Sequence, residues 1–223
     1  MARLPADPEG FIRRNTALEA PVMVPEFRLW LATEYVPIWQ ATEAWMEEQN
    51  IDPPYWAFCW PGGQAIARYL LDNAELVRGK RVIDFAAGSG ISSMAAAWAG
   101  ARSIVANDID ALSLVAARLN AAANGLSIAT SCEDWLAGTA GEPESDIVIA
   151  GDVCYERQMS EQALAWLRSH ADRGRLVLLG DPGRNYFTAQ GLEERARYDI
   201  PTSLQLENRG MRETVVWRVL PQL

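Results

Sequence analysis

Five aspartates, Asp84, Asp108, Asp134, Asp152 and Asp181, each end or follow a different apolar run of this 223-residue chain. Carboxylates accept strong hydrogen bonds from hydroxyl and ammonium groups, so a row of them suits a ligand or substrate that carries both. A single aspartate at a turn most often shapes the turn. Five at successive strand ends read instead as lining one edge, because ligands of open α/β sheets bind beyond the carboxyl ends of the strands. In such a row Asp108 is suited to take both hydroxyls of a ribose and Asp134 to accept from an adenine amino group. Ile109 or Trp135 would then lie against the ring, and Asp84 would meet an ammonium, directly or through water.

The stretch Arg81–Ser93 gives this row its centre. The apolar run Val82–Phe85 passes through Ala86 to Gly88 and Gly90 and then into the helical run Ile91–Ala99, the strand, tight loop and helix N-terminus of a nucleotide-sized binding corner. A dinucleotide fingerprint would want glycine or alanine where Ser93 stands, and Asp84 would place negative charge near the phosphates. S-adenosylmethionine (AdoMet) has a sulfonium, an ammonium and a carboxylate but no phosphate, and Asp84 favours it over a nicotinamide dinucleotide. Trp60, at the start of the helical run that begins at Pro61, is either a core aromatic or a wall over the adenosyl group.

The composition narrows the classes. Basic side chains number 20 against 29 acidic ones, a net charge of −9, so extended phosphate contact is disfavoured and a basic protein surface is the more natural partner. Cys59, Cys132 and Cys154 are scattered and give neither a disulfide framework nor a metal site. His170 is the sole histidine, which excludes Ser-His-Asp catalysis elsewhere; its place late in a helical run reads as a partner for the helix dipole. No apolar run reaches the length of a membrane span and the first twenty residues do not read as a signal peptide, so a cytoplasmic location is expected.

The elements that must position these residues alternate. Residues 11–20 read as a short helix and 27–33 as a strand, and 36–49 carries Ile38, Trp39, Trp45 and Met46 at helical spacing. Residues 1–50 therefore read as an N-terminal extension and 51–223 as the main domain. Strands are expected at 82–85, 103–107, 127–131, 146–150 and 176–179, with helices at 65–71, 91–99, 111–123 and 158–171 between them. This pattern predicts a mostly parallel sheet covered on both faces. Two further strands, 202–207 and 213–219, flank the turn residues Asn208-Arg209-Gly210 and predict an antiparallel last pair.

The run Val-Ile-Asp-Phe-Ala-Ala-Gly-Ser-Gly and the following Asn107-Asp108-Ile109-Asp110 resemble the motifs of class I, seven-β-strand AdoMet-dependent methyltransferases. Trp60-Pro61-Gly62-Gly63 and Asp152-x-x-Tyr155 are similar to the family 16 protein lysine methyltransferases. Together with Asp181-Pro182-Gly183-Arg184 they resemble the branch that acts on the β subunit of electron transfer flavoprotein. The resemblance implies a Rossmann-like, seven-stranded α/β fold, AdoMet as cofactor and that β subunit as protein partner; a monomer is expected. It also assigns Asp152 and Tyr155 to the substrate lysine. Ala86 departs from the pattern, which has glycine there. Similarity to ribosomal protein L11 methyltransferases is confined to the cofactor motifs. Another protein, such as a ribosomal protein L11-like one, or a small amine as acceptor, a non-enzymatic AdoMet- or nucleotide-binding module and, behind it, an NAD-dependent oxidoreductase are the competing readings.

Overall fold

The computed structural model describes residues 4–32, 53–138, 141–202, 207 and 210–222. The helix expected at 36–49 lies outside these residues. At the N-terminus α1 (Pro8–Asn15) starts earlier than expected, because Asp7 caps it, accepting from Gly10 N at 2.9 Å, and Pro8 occupies the first helical position. It stops at Asn15, and β1 (Ala17–Glu19) then pairs antiparallel with β2 (Leu29–Leu31).

The main sheet contains β3 (Arg81–Phe85), β4 (Ser103–Asn107), β5 (Ala129–Ser131), β6 (Ile147–Gly151), β7 (Leu176–Asp181), β8 (Leu192–Pro201) and β9 (Met211–Val219). Its order is β5-β4-β3-β6-β7-β9-β8, parallel through β7 and antiparallel at the last two pairings. The chain leaves β3 toward β4 and β5 and returns on the other side at β6. The ends of β3 and β6 thus flank a topological switch point, where such sheets bind ligands. Helices α2 (Pro61–Asp72), α3 (Ile91–Trp98), α4 (Ala111–Ala123) and α5 (Arg157–Asp172) make the connections.

Each face of the sheet has its own apolar core. Ile66, Leu70, Met94 and Ile149 pack on one side together with Val24, Phe27 and Leu29, so the N-terminal segment shares the domain's core. Ile83, Phe85, Val148 and Leu167 pack on the other, under α5. Asn120 of α4 joins the two parts: its Oδ1 accepts from Trp30 N at 2.7 Å and its Nδ2 donates to Ser89 O at 2.9 Å. Among the described residues no helix is long and apolar enough to cross a membrane.

One expectation lies largely outside the described residues and one needs correction. The strand expected at 202–207 falls mostly outside the described residues, and the strand that precedes β9 and pairs with it is Leu192–Pro201. It is the sheet's edge, rich in charge and joined to β9 by the Arg197–Glu213 ion pair, so no alternating apolar pattern announces it. His170 is fully buried beside Glu142 and Arg175, and burial pushes its pKa down to about 4. It is neutral at pH 7, and so no charged partner for the helix dipole.

Candidate active site

The loop after β3 turns through three left-handed residues, Ala86 at φ 54°, Gly88 at 51° and Gly90 at 77°. Gly90 is required by packing: a Cβ there would stand 2.8 Å from Ala117 Cβ on α4. Gly88 faces open space, with nothing within 4 Å of a Cβ position, and so leaves its backbone open to a ligand. Ala86 stands in the same backbone region without glycine's freedom, a strain of roughly 1–2 kcal/mol.

Two carboxylates hold this loop. Asp108, at the end of β4, accepts from Gly88 N at 2.9 Å through Oδ2 and from Asp110 N at 3.0 Å through Oδ1. Asp84 lies beneath the loop, 2% exposed, and accepts from the Ser93 hydroxyl at 2.7 Å, which ties β3 to α3. Burial pushes Asp84 up to about 7, against the Ser93 hydrogen bonds and with the help of Asp108's charge. It likewise pushes Asp108 up to about 6, against the hydrogen bonds from Asp110 and Gly88. Carboxyls raised in this way favour a cationic or hydrogen-bond-donating ligand.

Further along the edge, Ile109 is 64% exposed beside Asp108, an apolar surface available to a flat ring. Asp134 forms a turn: its Oδ1 accepts from Leu136 N at 3.0 Å and Ala137 N at 3.1 Å. Trp135 is a correction. It is 3% exposed and stacked on Trp166 in the core under α5, so it has no free face for an adenine.

Asp152 follows β6 at φ 58°, left-handed for a residue with a side chain. Its Oδ2 accepts from Gly63 N at 3.2 Å, at the N-terminus of α2. Its Oδ1 accepts from Arg184 Nη2 at 2.8 Å and Nε at 3.2 Å. Arg184 also donates to Glu207 at 2.8 and 3.1 Å, and Glu207 accepts from Arg212 Nε at 2.9 Å. The Arg184 backbone is fixed in turn by buried Asp181, whose Oδ1 accepts from Gly183 N and Arg184 N at 2.8 and 2.7 Å. Burial raises the Asp152 pKa, and Arg184 opposes that rise.

Aromatic rings rim this pocket. Tyr155 is 47% exposed and lies 5.8 Å from the ring of Tyr55, which lies 6.1 Å from Trp60. Trp60 is half-buried, its Nε1 donates to Tyr55 O at 2.8 Å, and Arg184 stacks 5.5 Å from its ring centre. Trp60 therefore stands beside the Asp152 cluster, half-buried rather than in the core.

Several relatives cover almost the whole chain. It is 37% identical to the electron transfer flavoprotein beta subunit lysine methyltransferase of Xenopus laevis over 96% of this chain and 87% of that protein. The human protein of the same description is 34% identical over 96% of this chain and 84% of that one. The chain belongs to the electron transfer flavoprotein beta subunit lysine methyltransferase family. The model of the ribosomal protein L11 methyltransferase (PrmA) family also matches, over residues 66–154. A ribosomal protein L11 methylase from Lactobacillus delbrueckii subsp. bulgaricus superposes with a TM-score of 0.53 at 25% identity, over 83% of this chain and 93% of that one.

Family membership makes the chain a methyltransferase and sets aside the oxidoreductase and the non-enzymatic binding module. The structure brings Asp84, Ala86, Gly88, Gly90, Asp108 and Ile109 to one side of the switch point, and Asp152, Tyr155 and Trp60 to the other. Sequence reasoning named Arg184 only as part of a motif, without a role, and missed Tyr55 and Glu207. Arg184 stands in the Asp-Pro-Gly-Arg run after β7 and Tyr55 was visible in Pro53-Pro54-Tyr55, but nothing local marks Glu207 as a partner of either.

Proposed function

We propose that this methyltransferase transfers methyl groups from AdoMet to lysine of the electron transfer flavoprotein β subunit. The observation that carries the reading is the 34–37% identity, over 96% of the chain, to enzymes of that description. The two-sided site supports it. Asp108 would hold the ribose hydroxyls, Asp84 with its Ser93 partner the ammonium side, Ile109 the adenine ring and Asp134 its amino group. The open face of Gly88 accommodates such a ligand without a Cβ in its path. Bound AdoMet supplies an electrophilic methyl group on a sulfonium.

Asp152 and Tyr155 belong to the acceptor. A lysine with its ordinary pKa near 10.4 costs about 4.6 kcal/mol to deprotonate at pH 7. The site must therefore align an amine and tolerate its neutral form. The Tyr155, Tyr55 and Trp60 rings offer faces to the lysine's methylenes and to its cation, the latter worth about 0.5 to 2 kcal/mol. A cytoplasmic enzyme without nucleic-acid partners completes the reading, supported by the −9 charge and three free cysteines; it is proposed as a monomer.

Asp108→Ala is expected to weaken AdoMet binding by about 1.5 to 3 kcal/mol, roughly 10- to 150-fold in Kd. Calorimetric titration of the folded variant measures this, and an unchanged Kd would remove Asp108 from the cofactor site. Mass spectrometry of purified flavoprotein incubated with the enzyme and AdoMet tests the function. Lysines gaining one to three methyl groups are expected. Unmodified lysines, with another protein labelled in a cell extract, would leave the methyltransferase class standing and overturn the substrate.

A further inference from the structure

Asp152 poses a problem for lysine methylation, because a lone carboxylate beside the acceptor holds the amine as ammonium, which has no lone pair to attack with. The structure contains an answer. Asp152, Arg184, Glu207 and Arg212 form a line of alternating charge, and the Arg184 fork closes on Asp152 Oδ1 from one side and on Glu207 from the other. Glu207 is 3% exposed, so this second carboxylate is a fixed anchor for the guanidinium.

The remaining groups around Asp152 do not replace Arg184. The Gly63 N–H of α2 binds Oδ2 but carries no full charge. Asp181 adds negative charge from the loop after β7 and is itself pushed up to about 6 by burial, which Asp152 reinforces. The thiols of Cys59 and Cys154, both within the field of Asp152, are raised well above neutrality by burial and remain uncharged. On the aromatic side Tyr155 is raised by burial, with Tyr55, Glu156 and Asp108 adding to it, and is neutral as well. Arg184 is the one cation in direct contact with Asp152 among the described residues.

We propose that Arg184 is a positioning residue for methyl transfer: anchored by Glu207, it clamps Asp152 and cancels its charge, so that Asp152 orients the substrate amine without holding it protonated. This rests on the assignment of Asp152 to the acceptor lysine. The amine's proton leaves to solvent water before transfer, and the nitrogen lone pair is then free. Arg184 acts through Asp152 and does not itself touch the transferred group.

The test is kcat/KM against pH, from 6 to 10, for the full chain acting on the flavoprotein, comparing wild type with Arg184→Gln, Arg184→Lys and Glu207→Gln. In Arg184→Gln the acid limb is expected to move up by about one to three pH units, with about a tenfold loss at pH 7 for each unit and recovery at high pH. Arg184→Lys keeps the charge but not the fork and should recover part of the shift. Glu207→Gln should shift the limb less. AdoMet Kd should stay within a few fold in all three. A folded Arg184→Gln enzyme whose limb is unmoved, whether active or uniformly slowed, would overturn the proposal. Should Arg184→Gln not fold, the other two variants decide by the same limb. A second arm needs no substrate: carboxyl-13C NMR of labelled aspartate should show Asp152 titrating at higher pH in the variant, and identical titrations would overturn the clamp. Failure of the wild type to label the flavoprotein counts against the substrate, and the NMR arm then decides the clamp alone.

Discussion

Asp152→Asn is expected to slow methyl transfer by about a hundredfold or more while AdoMet affinity stays within a few fold, the order of loss that misplacement of a reacting group causes. Asparagine is the informative replacement. Asp152 sits at φ 58°, and asparagine tolerates the left-handed region better than most residues, so the backbone need not move. The amide can still accept from Gly63 N, but the charge that meets Arg184 is gone. Glu207 still pairs with Arg184, so no cation is stranded, and about 1 to 3 kcal/mol of stability is expected to go with the lost charged hydrogen bonds. Single-turnover rates with the flavoprotein, alongside calorimetry with AdoMet, measure the two effects. Wild-type turnover in a folded Asp152→Asn enzyme would remove Asp152 from the acceptor site.

The largest effect on stability is expected at Gly62. Helix α2 enters the sheet end where three glycines from three elements meet, Gly62 on α2, Gly151 on β6 and Gly180 on β7. A Cβ on Gly62 would lie 2.3 Å from Gly180 O, 2.5 Å from Asp152 Oδ2 and 2.7 Å from Asp152 N. Two of these are backbone atoms that cannot rotate away, so the helix or the strand end must shift. Gly62→Ala should therefore cost at least about 3 kcal/mol, at the upper end of overpacking effects. For a domain of this size that lowers Tm by about 6 to 12 °C. Gly141→Ala, where a Cβ would meet nothing within 4 Å and no positive φ is required, is the control and should leave Tm within about 2 °C. Equal melting temperatures for the two variants would contradict the close packing. Because Gly62 also abuts Asp152, any folded Gly62→Ala protein should be impaired in transfer as well.

The amino-acid sequence by itself determined the central sheet and the tight loop between β3 and α3. Strands such as Val82–Phe85 and Ile147–Ala150 are buried on both faces, so they are written as continuous apolar runs, and the loop between β3 and α3 needs small residues over a short span. The places of Asp108 and Asp152 were legible for the same reason: each stands next to a recognisable strand end. Tertiary structure decided what no local pattern records. The edge strand Leu192–Pro201 needs no apolar face to pair with β9, so its charged residues concealed it. Tryptophan suits either a core or a binding surface, and only the packing of α5 over the sheet buries Trp135, while the entry of α2 beside Arg184 sets Trp60 at the Asp152 side. The clamp on Asp152 joins residues 32 and 23 positions apart, from Asp152 to Arg184 and from Arg184 to Glu207. Charge pairing over such separations depends on where the folded chain places each side chain, and spacing along the sequence carries no trace of it.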